Sequence, residues 1–218
     1  MKRRDYAQYC GLARALELVG ERWALLIVRD LTIRPRRYTD LQEGLRGIPT
    51  NVLSTRLKEL EQAGIVERQV APAPARGVVY ALTEVGQALE PSLIALGRWG
   101  SSQLGDPQPG YVVTPDGAVL NMRAAFQTGE AAGLTASFQL HLADVVVHAV
   151  LVDGKLTSGL GPAPGGADLV MTARFAEDEI PAYRTFVRAA KEGRVDLEGP
   201  AELFDTFLRV FTYPAKAA

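Results

Sequence analysis

The sequence predicts an α+β protein built from two successive domains. Apolar residues recur at helical spacing through much of residues 1–104, and two short β-rich runs occur near the end of this part. A Gly/Pro-rich stretch at 105–110 has the composition of a linker. Beyond it, residues 134–142 alternate between apolar and polar side chains, as in a half-buried strand. We therefore expect one domain over 1–104 and a mixed α/β domain over 105–218.

Composition restricts the class of protein. The 218 residues are 47% hydrophobic and 22% charged, which is typical of a globular protein. One cysteine, Cys10, excludes an internal disulfide framework. No run of about 18 apolar residues and no secretory leader is recognisable, so we expect a cytoplasmic protein with no membrane partner.

The net charge of −1 conceals an asymmetry between the two halves. Residues 1–104 carry 15 Lys+Arg and 11 Asp+Glu, a net of +4, and residues 105–218 carry 9 and 14, a net of −5. Basic residues gathered in one half are expected where phosphates are bound. Because a charge of +4 is modest, any nucleic-acid prediction must depend on motifs.

The chain is predicted to begin with two helices. Leu12, Leu16 and Val19 recur at i, i+4 and i+7, which predicts an amphipathic helix over 11–19. The run 23–28 is apolar all round, which indicates a buried helix.

The next segment has the order of a helix-turn-helix. A basic loop at 34–37 precedes Thr39, which lies three residues before Gln42 and predicts a capping box at the start of a brief helix. The stretch 44–49 supplies a turn, and residues 50–62 predict a second helix. This order is the one that inserts one helix into the major groove of DNA.

The 50–62 helix is predicted to have an apolar inner face and a polar outer face. Leu53, Leu57 and Leu60 stack on the inner face. The outer face and its flanks carry Asn51, Ser54, Thr55, Arg56, Lys58 and Gln62. Two β-rich runs then bracket a Pro/Ala tip whose single charge is Arg76, an arrangement typical of a wing.

We predict that DNA contacts come from the basic loop, the starts of the two helices of the helix-turn-helix, the polar face of the second helix and the wing tip. Short polar side chains suit base edges, and long basic ones suit phosphates. The predicted residues are Arg36, Arg37, Thr39, Thr50, Asn51, Ser54, Thr55, Arg56, Lys58 and Arg76. The alternative is a helix-turn-helix that serves only as a packing module, with solvated flank charges.

Residues from about 10 to 100 resemble the HxlR-type winged helix-turn-helix transcription regulators, relatives of the MarR group. The motifs are CGLARAL (10–16), VGERW (19–23), LLIVRDL (25–31), RRYTDL (36–41), IPTNVLSTRL (48–57) and LTEVGQAL (82–89). The resemblance implies a homodimer that binds a pseudo-palindromic double-stranded operator with one recognition helix per half-site.

A last helix of this half is predicted to open at Thr83, because Leu89, Leu93 and Leu96 repeat at helical spacing. The resemblance implies that the first and last helices pair across the dimer axis. The alternative is that this apolar stripe covers the core of its own domain.

Cys10 has two possible roles. Several members of the family carry a redox-sensing cysteine near this position, but this chain has no second cysteine, so a disulfide would join Cys10 to its copy or to an external thiol. A sensor needs exposure and a lowered pKa. We expect the other role, a small buried apolar side chain.

The second half predicts a mixed sheet with helices. We expect a helix over 118–126, and strands over 134–142, 145–152 and 169–173. Asp153-Gly154 indicates a hairpin turn. The last helices are predicted to begin at the acidic run 177–179, with Ile180, Tyr183 and Val187 on one face, and at Pro200, before an apolar run to Phe211.

No catalytic or metal-binding arrangement is recognisable in this half. His141 and His148 lie in predicted strands with no third ligand at a metal spacing, and we expect both to face outward from the sheet. We therefore expect neither an enzyme nor a cofactor.

Residues 112–211 resemble the sterol carrier protein type 2-like domain. The motifs are VDGKL (152–156), DLVMT (168–172) and GRVDLEGPA (193–201). The resemblance implies an apolar tunnel for a hydrophobic, lipid-like molecule, which aromatic residues would line: Phe126, Phe138, Phe175, Tyr183, Phe186, Phe204, Phe207 and Phe211. The alternative is that these residues form an ordinary solid core.

The two halves together predict a cytoplasmic homodimeric transcription regulator, a repressor, whose operator binding responds to a hydrophobic ligand in the second domain. The alternative is a lipid carrier that uses its winged helix only for dimerisation.

Overall fold

The computed structural model describes residues 5–71, 76–105 and 110–213. The chain divides into two compact units, Met1–Leu93 and Ile94–Ala218. Four residues of the predicted wing tip and most of the predicted linker lie outside the described residues. Among the described helices, none is both long and apolar enough to cross a membrane.

Among its described residues, the first unit contains five short helices, the start of a sixth, and one hairpin. In chain order they are α1 (Gly11–Val19), α2 (Ala24–Ile33), α3 (Tyr38–Gly44), α4 (Thr50–Gln62), β1 (Val66–Val70), β2 (Val78–Leu82), α5 (Glu84–Gln87) and α6 (Glu90–Gln103). The predicted helices over 11–19 and 50–62 are confirmed. Ile27 and Val28 of α2 are fully buried, which confirms that α2 runs through the core of this unit.

Strands β1 and β2 form the antiparallel hairpin expected of a wing. Val66 pairs with Leu82 at its base, and Val70 pairs with Val78 toward its tip. Arg36 adds an isolated antiparallel bridge to Tyr80, with hydrogen bonds of 2.9 and 2.7 Å. The basic loop is thereby tied by its backbone to the wing.

Two local predictions in this unit are wrong. The cap of α3 is made by Asp40, which accepts a hydrogen bond from the Arg37 amide at 3.1 Å, and not by Thr39 and Gln42. The helix predicted from Thr83 is two helices, α5 and α6. A continuous helix would need a backbone N–H at Pro91, which proline lacks, whereas the first turn of a new helix tolerates it.

The part of the second unit that the structure describes contains a five-stranded sheet and three further helices. Its elements are α7 (Pro115–Ala125), β3 (Ala136–Leu142), β4 (Val145–Val152), β5 (Lys155–Leu160), β6 (Leu169–Ala173), α8 (Tyr183–Lys191), β7 (Val195–Glu198) and α9 (Ala201–Val210). The strand order is β5-β4-β3-β6-β7, with β3 and β6 parallel and the other pairs antiparallel. The Asp153-Gly154 turn has positive φ at both residues, as predicted for a tight hairpin.

The sheet buries one face. Alternate residues of β3 are fully or nearly fully buried, and Gln139 and His141 point to the other face. The strict alternation predicted for this strand is therefore confirmed. His148, predicted to face outward, lies on the same face as Gln139 but is only 9% exposed, because its ring packs against the next strand and its Nδ1 hydrogen-bonds the Gly161 carbonyl at 3.0 Å.

Helix α8 begins later than the acidic run 177–179 predicted. Pro181 disfavours helical backbone at Ile180, so the helix starts at Tyr183. Glu179 does not cap it. Its carboxylate accepts hydrogen bonds from the Ala176 amide at 2.8 Å and from Arg194 at 2.9 Å.

The division between the two compact units falls inside α6, after Leu93. The domain bounds 1–104 and 105–218 stay a prediction. The C-terminal half of α6 belongs to the second unit because Arg98 donates hydrogen bonds to the carbonyls of Ala124 (2.5 Å) and Phe126 (2.7 Å). Arg184 of α8 donates to the carbonyl of Ser101 at 2.9 Å.

Candidate nucleic-acid interface

Helix α4 has the two faces predicted for a recognition helix. Leu53, Leu57 and Leu60 are at most 1% exposed and fix the inner face in the core. Asn51 and Lys58 are exposed on the opposite side. The apolar stripe therefore determines which polar side chains face solvent.

A hydrogen-bond network fixes the start of α4 against α3. The Tyr38 hydroxyl donates to the Thr50 carbonyl at 2.8 Å and lies 3.1 Å from Ser54 Oγ. Ser54 Oγ also donates to the Thr50 carbonyl, at 2.9 Å. Tyr38 is not among the predicted site residues, although an aromatic residue at the start of the first helix of a helix-turn-helix is a usable signal for such a link.

Seven of the ten predicted DNA contacts are exposed. They are Arg37, Thr39, Thr50, Asn51, Ser54, Lys58 and Arg76. Thr55 is half-buried, and its hydroxyl donates to the Asn51 carbonyl at 2.8 Å. Helix α4, the start of α3 and the wing thus supply the exposed residues of this set.

Arg37 connects the basic loop to the wing tip. Its Nη2 donates to the Arg76 carbonyl at 2.7 Å, and both arginines are exposed. Two guanidinium groups are therefore held on neighbouring segments, which suits contact with a phosphate backbone.

Two predicted DNA contacts are not exposed. Arg36 is 9% exposed and belongs to the backbone bridge with Tyr80. The Arg56 side chain is 13% exposed and forms ion pairs with Glu21, at 3.4 Å, and with Glu59. A guanidinium that is buried or already paired with carboxylates is poorly placed to bind phosphate, so the geometry does not favour either prediction.

Two exposed basic residues beside the predicted set were missed. Arg34 immediately follows α2, and Arg46 lies in the turn between α3 and α4. A long basic side chain in the turn of a helix-turn-helix is well placed for phosphate contact. The signal available in the sequence was the position of Arg46 inside the 44–49 turn.

Cys10 differs from the buried side chain that we expected. It is exposed and occupies the N-cap position of α1. The backbone N–H groups of Ala13 and Leu12 in the first turn of α1 hold the pKa of the Cys10 thiol below its usual value. Donors at a helix start favour the thiolate, the nucleophilic form of cysteine.

The predicted ligand-lining aromatics of the second unit fall into two groups. Five are at most 1% exposed, and their rings pack on one another, with Phe207 4.7 Å from Phe211 and 5.2 Å from Phe138 between centroids. These five are Phe138, Tyr183, Phe186, Phe207 and Phe211. The other three, Phe126, Phe175 and Phe204, are half-buried.

The buried aromatic cluster contains one polar anchor. The Tyr183 hydroxyl donates to the Phe211 carbonyl at 2.5 Å, and burial raises the pKa of Tyr183 well above its usual value. Tyr183 is therefore a neutral donor that ties α8 to the end of α9. Within the described residues, no group of three or more His, Cys, Asp or Glu is arranged to hold a metal ion.

Comparison with known proteins gives matches to helix-turn-helix regulators. Residues 18–108 match the family model described as HxlR-like helix-turn-helix. An uncharacterised HTH-type transcriptional regulator of Mycobacterium tuberculosis is 40% identical over 98 residues, 45% of this chain and 61% of that protein. The chain thus spans less than two thirds of the length of that relative.

Two Bacillus subtilis proteins are matched over more of their length. The uncharacterised HTH-type regulator YvaP is 36% identical over 94 residues, 43% of this chain and 86% of YvaP. The reduced form of the regulator YodB is 38% identical, covering 45% of this chain and 100% of that structure, with a TM-score of 0.39. With the match to the family model, the identity to YvaP over most of its length shows that the chain belongs to the HxlR-like helix-turn-helix family.

Proposed function

We propose that this protein is a transcription regulator, a repressor, that binds double-stranded operator DNA through α4 and the wing. The observation that carries the proposal is the outer face of α4, where Asn51 and Lys58 are exposed while the opposite leucines anchor the helix in the core. A helix of about 10–12 Å diameter fits the major groove of about 12 Å.

The exposed residues divide by the kind of contact that their chemistry allows. The Asn51 amide can make two hydrogen bonds to an adenine edge. Lys58, Arg37, Arg46 and Arg76 are exposed cations suited to phosphate, which positions the protein without reading sequence. Sequence readout is therefore assigned to the start of α4, and most of the salt-dependent affinity to the surrounding basic residues.

We further propose that the regulator is a homodimer. Helix α1 exposes Leu12 (70%) and Leu16 (45%) one turn apart, and Tyr9 precedes them fully exposed. Helix α6 exposes Leu96 (49%) and Trp99 (65%). Each of these exposed apolar faces is of the kind found at protein interfaces, and a second copy would supply the second α4 that a two-fold operator needs.

The second unit is proposed to bind a hydrophobic, lipid-like molecule that alters operator affinity. Phe126, Phe175 and Phe204 support this proposal, because half-buried aromatic side chains could contact an apolar ligand while the five buried rings stay packed. The ligand would change operator affinity only to the extent that it binds the DNA-competent and DNA-incompetent forms differently.

The rival function is a lipid carrier whose winged helix serves only to dimerise. The relatives are named as transcription regulators, and the outer face of α4 is polar and exposed, as a DNA-reading face requires. Both observations favour the regulator.

Selection from a randomised duplex pool, followed by titration of the selected and a scrambled duplex at several salt concentrations, tests the DNA proposal. We expect a recovered two-fold sequence, preferential binding to it, and an affinity that falls with a slope of several counterions. Lys58→Ala and Arg76→Ala should each weaken both duplexes equally and reduce the slope by about one. Failure to enrich any sequence, or equal binding of the selected and scrambled duplexes, would favour the carrier.

The ligand proposal is tested on the full chain. Long-chain fatty acids should raise the melting temperature through linkage and change the affinity for the selected duplex. Native mass spectrometry of the purified protein would identify a co-purified lipid. If fatty acids change neither property and no lipid co-purifies, the second unit is not the proposed sensor.

A further inference from the structure

Arg56 lies on α4 beside the DNA-facing residues, yet its guanidinium is directed toward the protein. Its side chain is 13% exposed, whereas Lys58, two residues later, is exposed. Nη2 lies 3.4 Å from a Glu21 carboxylate oxygen, and Nη1 pairs with Glu59 one turn along α4. The helix is therefore linked to a segment 35 residues earlier in the chain, since 56 minus 21 is 35.

Glu21 lies in a tight connection between α1 and α2. A Cβ atom on Gly20 would lie 2.4 Å from the Leu16 carbonyl oxygen, so only glycine fits there. Trp23 has φ of +79°, which is unusual for a bulky residue, and the Arg22 guanidinium lies 5.2 Å from the centre of its ring. A connection with so few alternative conformations presents the Glu21 carboxylate at a defined place.

We propose that Arg56 is a positioning residue: the buried leucines seat α4 in the core, and through Glu21 Arg56 holds the rotation of α4 about its axis finely enough for the outer-face side chains to reach the bases. This inference rests on the proposed DNA-binding function. Side-chain tips lie about 5–6 Å from the axis of a helix, so a rotation of about 20° moves them by about 2 Å. That shift exceeds the range of donor–acceptor distances in a hydrogen bond. A small rotation would therefore remove base contacts while leaving the basic surface in place.

The charge of Arg56 supports a role within the protein. Two carboxylates already accompany this guanidinium, so moving it to a phosphate would leave partly buried Glu21 and Glu59 without that partner. Arg56 is accordingly expected to add nothing to the number of counterions released on DNA binding. This property separates a positioning role from a phosphate contact.

The test is a double-mutant cycle with Arg56→Gln, Glu21→Gln and the double variant, titrated on the selected and scrambled duplexes over a salt series. We expect each single change to lower the selected-to-scrambled affinity ratio by about tenfold, and the double variant to be no worse than either. The salt slope should stay at the wild-type value. Arg14→Gln is the matched control, because Arg14 pairs with Glu17 at 3.0 Å on α1, and it should leave the ratio unchanged.

Arg56→Lys separates geometry from charge, because lysine keeps the charge but not the planar fork. If Arg56 is a positioning residue, Arg56→Lys lowers the selected-to-scrambled affinity ratio. If Arg56 contacts a phosphate, the variant keeps both this ratio and the salt slope of the wild type. The inference is overturned if Arg56→Gln weakens both duplexes equally and lowers the slope by about one, or if Glu21→Gln has no effect. If wild-type protein fails to discriminate the duplexes, the proposed function itself has failed before any variant is measured.

Discussion

Replacing Phe207 by alanine tests whether the aromatic cluster of the second unit is a close-packed core. Phe207 is fully buried on α9. Its ring centre lies 4.7 Å from Phe211, 5.2 Å from Phe138 and 5.9 Å from Phe186. Rings on several sides leave little room for collapse into the vacated space.

Phe207→Ala is expected to lower the free energy of unfolding by an amount at the upper end of the usual range, which is about 3–5 kcal/mol for a buried phenylalanine. Three aromatic contacts are lost, each contributing about 0.5–1.5 kcal/mol beyond the buried area. Because domains are stable by about 5–15 kcal/mol, this is a large part of the total. The variant is therefore expected to unfold at much lower urea concentration.

Urea denaturation followed by near-ultraviolet circular dichroism measures the loss, with Phe204→Ala as the matched control. Phe204 lies on the same helix but is half-buried, so its replacement should cost less than half as much, since the loss scales with the apolar area removed from water. If Phe207→Ala costs less than about 1 kcal/mol, or no more than Phe204→Ala, the rings do not form a solid core. The division of the aromatics into a filled core and three accessible side chains would then be wrong.

Three further predictions concern single groups. The Ala176 amide and Arg194 hold the pKa of Glu179 at about 2, below its usual 4.5. The stability that the Glu179 carboxylate contributes is therefore present above pH 4.5 and is lost as pH falls toward 2. The melting-temperature difference between wild type and Glu179→Gln should shrink over that interval, and an equal difference at pH 7 and pH 2 would contradict the prediction. Because the pKa of Cys10 is lowered, the alkylation rate of its thiol should have a lower pH midpoint in native than in urea-unfolded protein. Equal midpoints would show that the start of α1 does not lower this pKa. Arg98→Ala removes two charged hydrogen bonds to the end of α7 and should cost about 2–4 kcal/mol of unfolding free energy; a loss within the ±0.5 kcal/mol typical of surface substitutions would contradict it.

The sequence was sufficient for elements with one strong pattern. The helix 50–62 and the strands 145–152 and 169–173 have the predicted bounds, because the leucines of the helix share one face and the strands are short apolar runs between turn residues. The errors arose where one residue overrides the period. Pro91 divides the helix predicted from Thr83, and Pro181 delays α8.

The candidate site was predicted in its location and only partly in its members. Periodicity places a side chain on a face of its helix, but it does not show which distant segment packs there. The neutralisation of Arg56 by Glu21 depends on such a long-range contact, as does the burial of Arg36 beside Tyr80. Cys10 was misjudged because a free cysteine is most often a small buried side chain, whereas the described chain leaves this thiol exposed.

The central claim is that the outer face of α4 reads DNA sequence, and the ratio of affinities for selected and scrambled duplexes tests it most directly. The ratio is measured by fluorescence anisotropy for wild type and Asn51→Ala at one salt concentration. Asn51 is exposed at the start of α4, and a lost base contact removes about 1–3 kcal/mol of discrimination, so the ratio should fall by about 5- to 150-fold. Affinity for the scrambled duplex should be unchanged. A ratio equal to that of the wild type would contradict the assignment of this face as the reading surface.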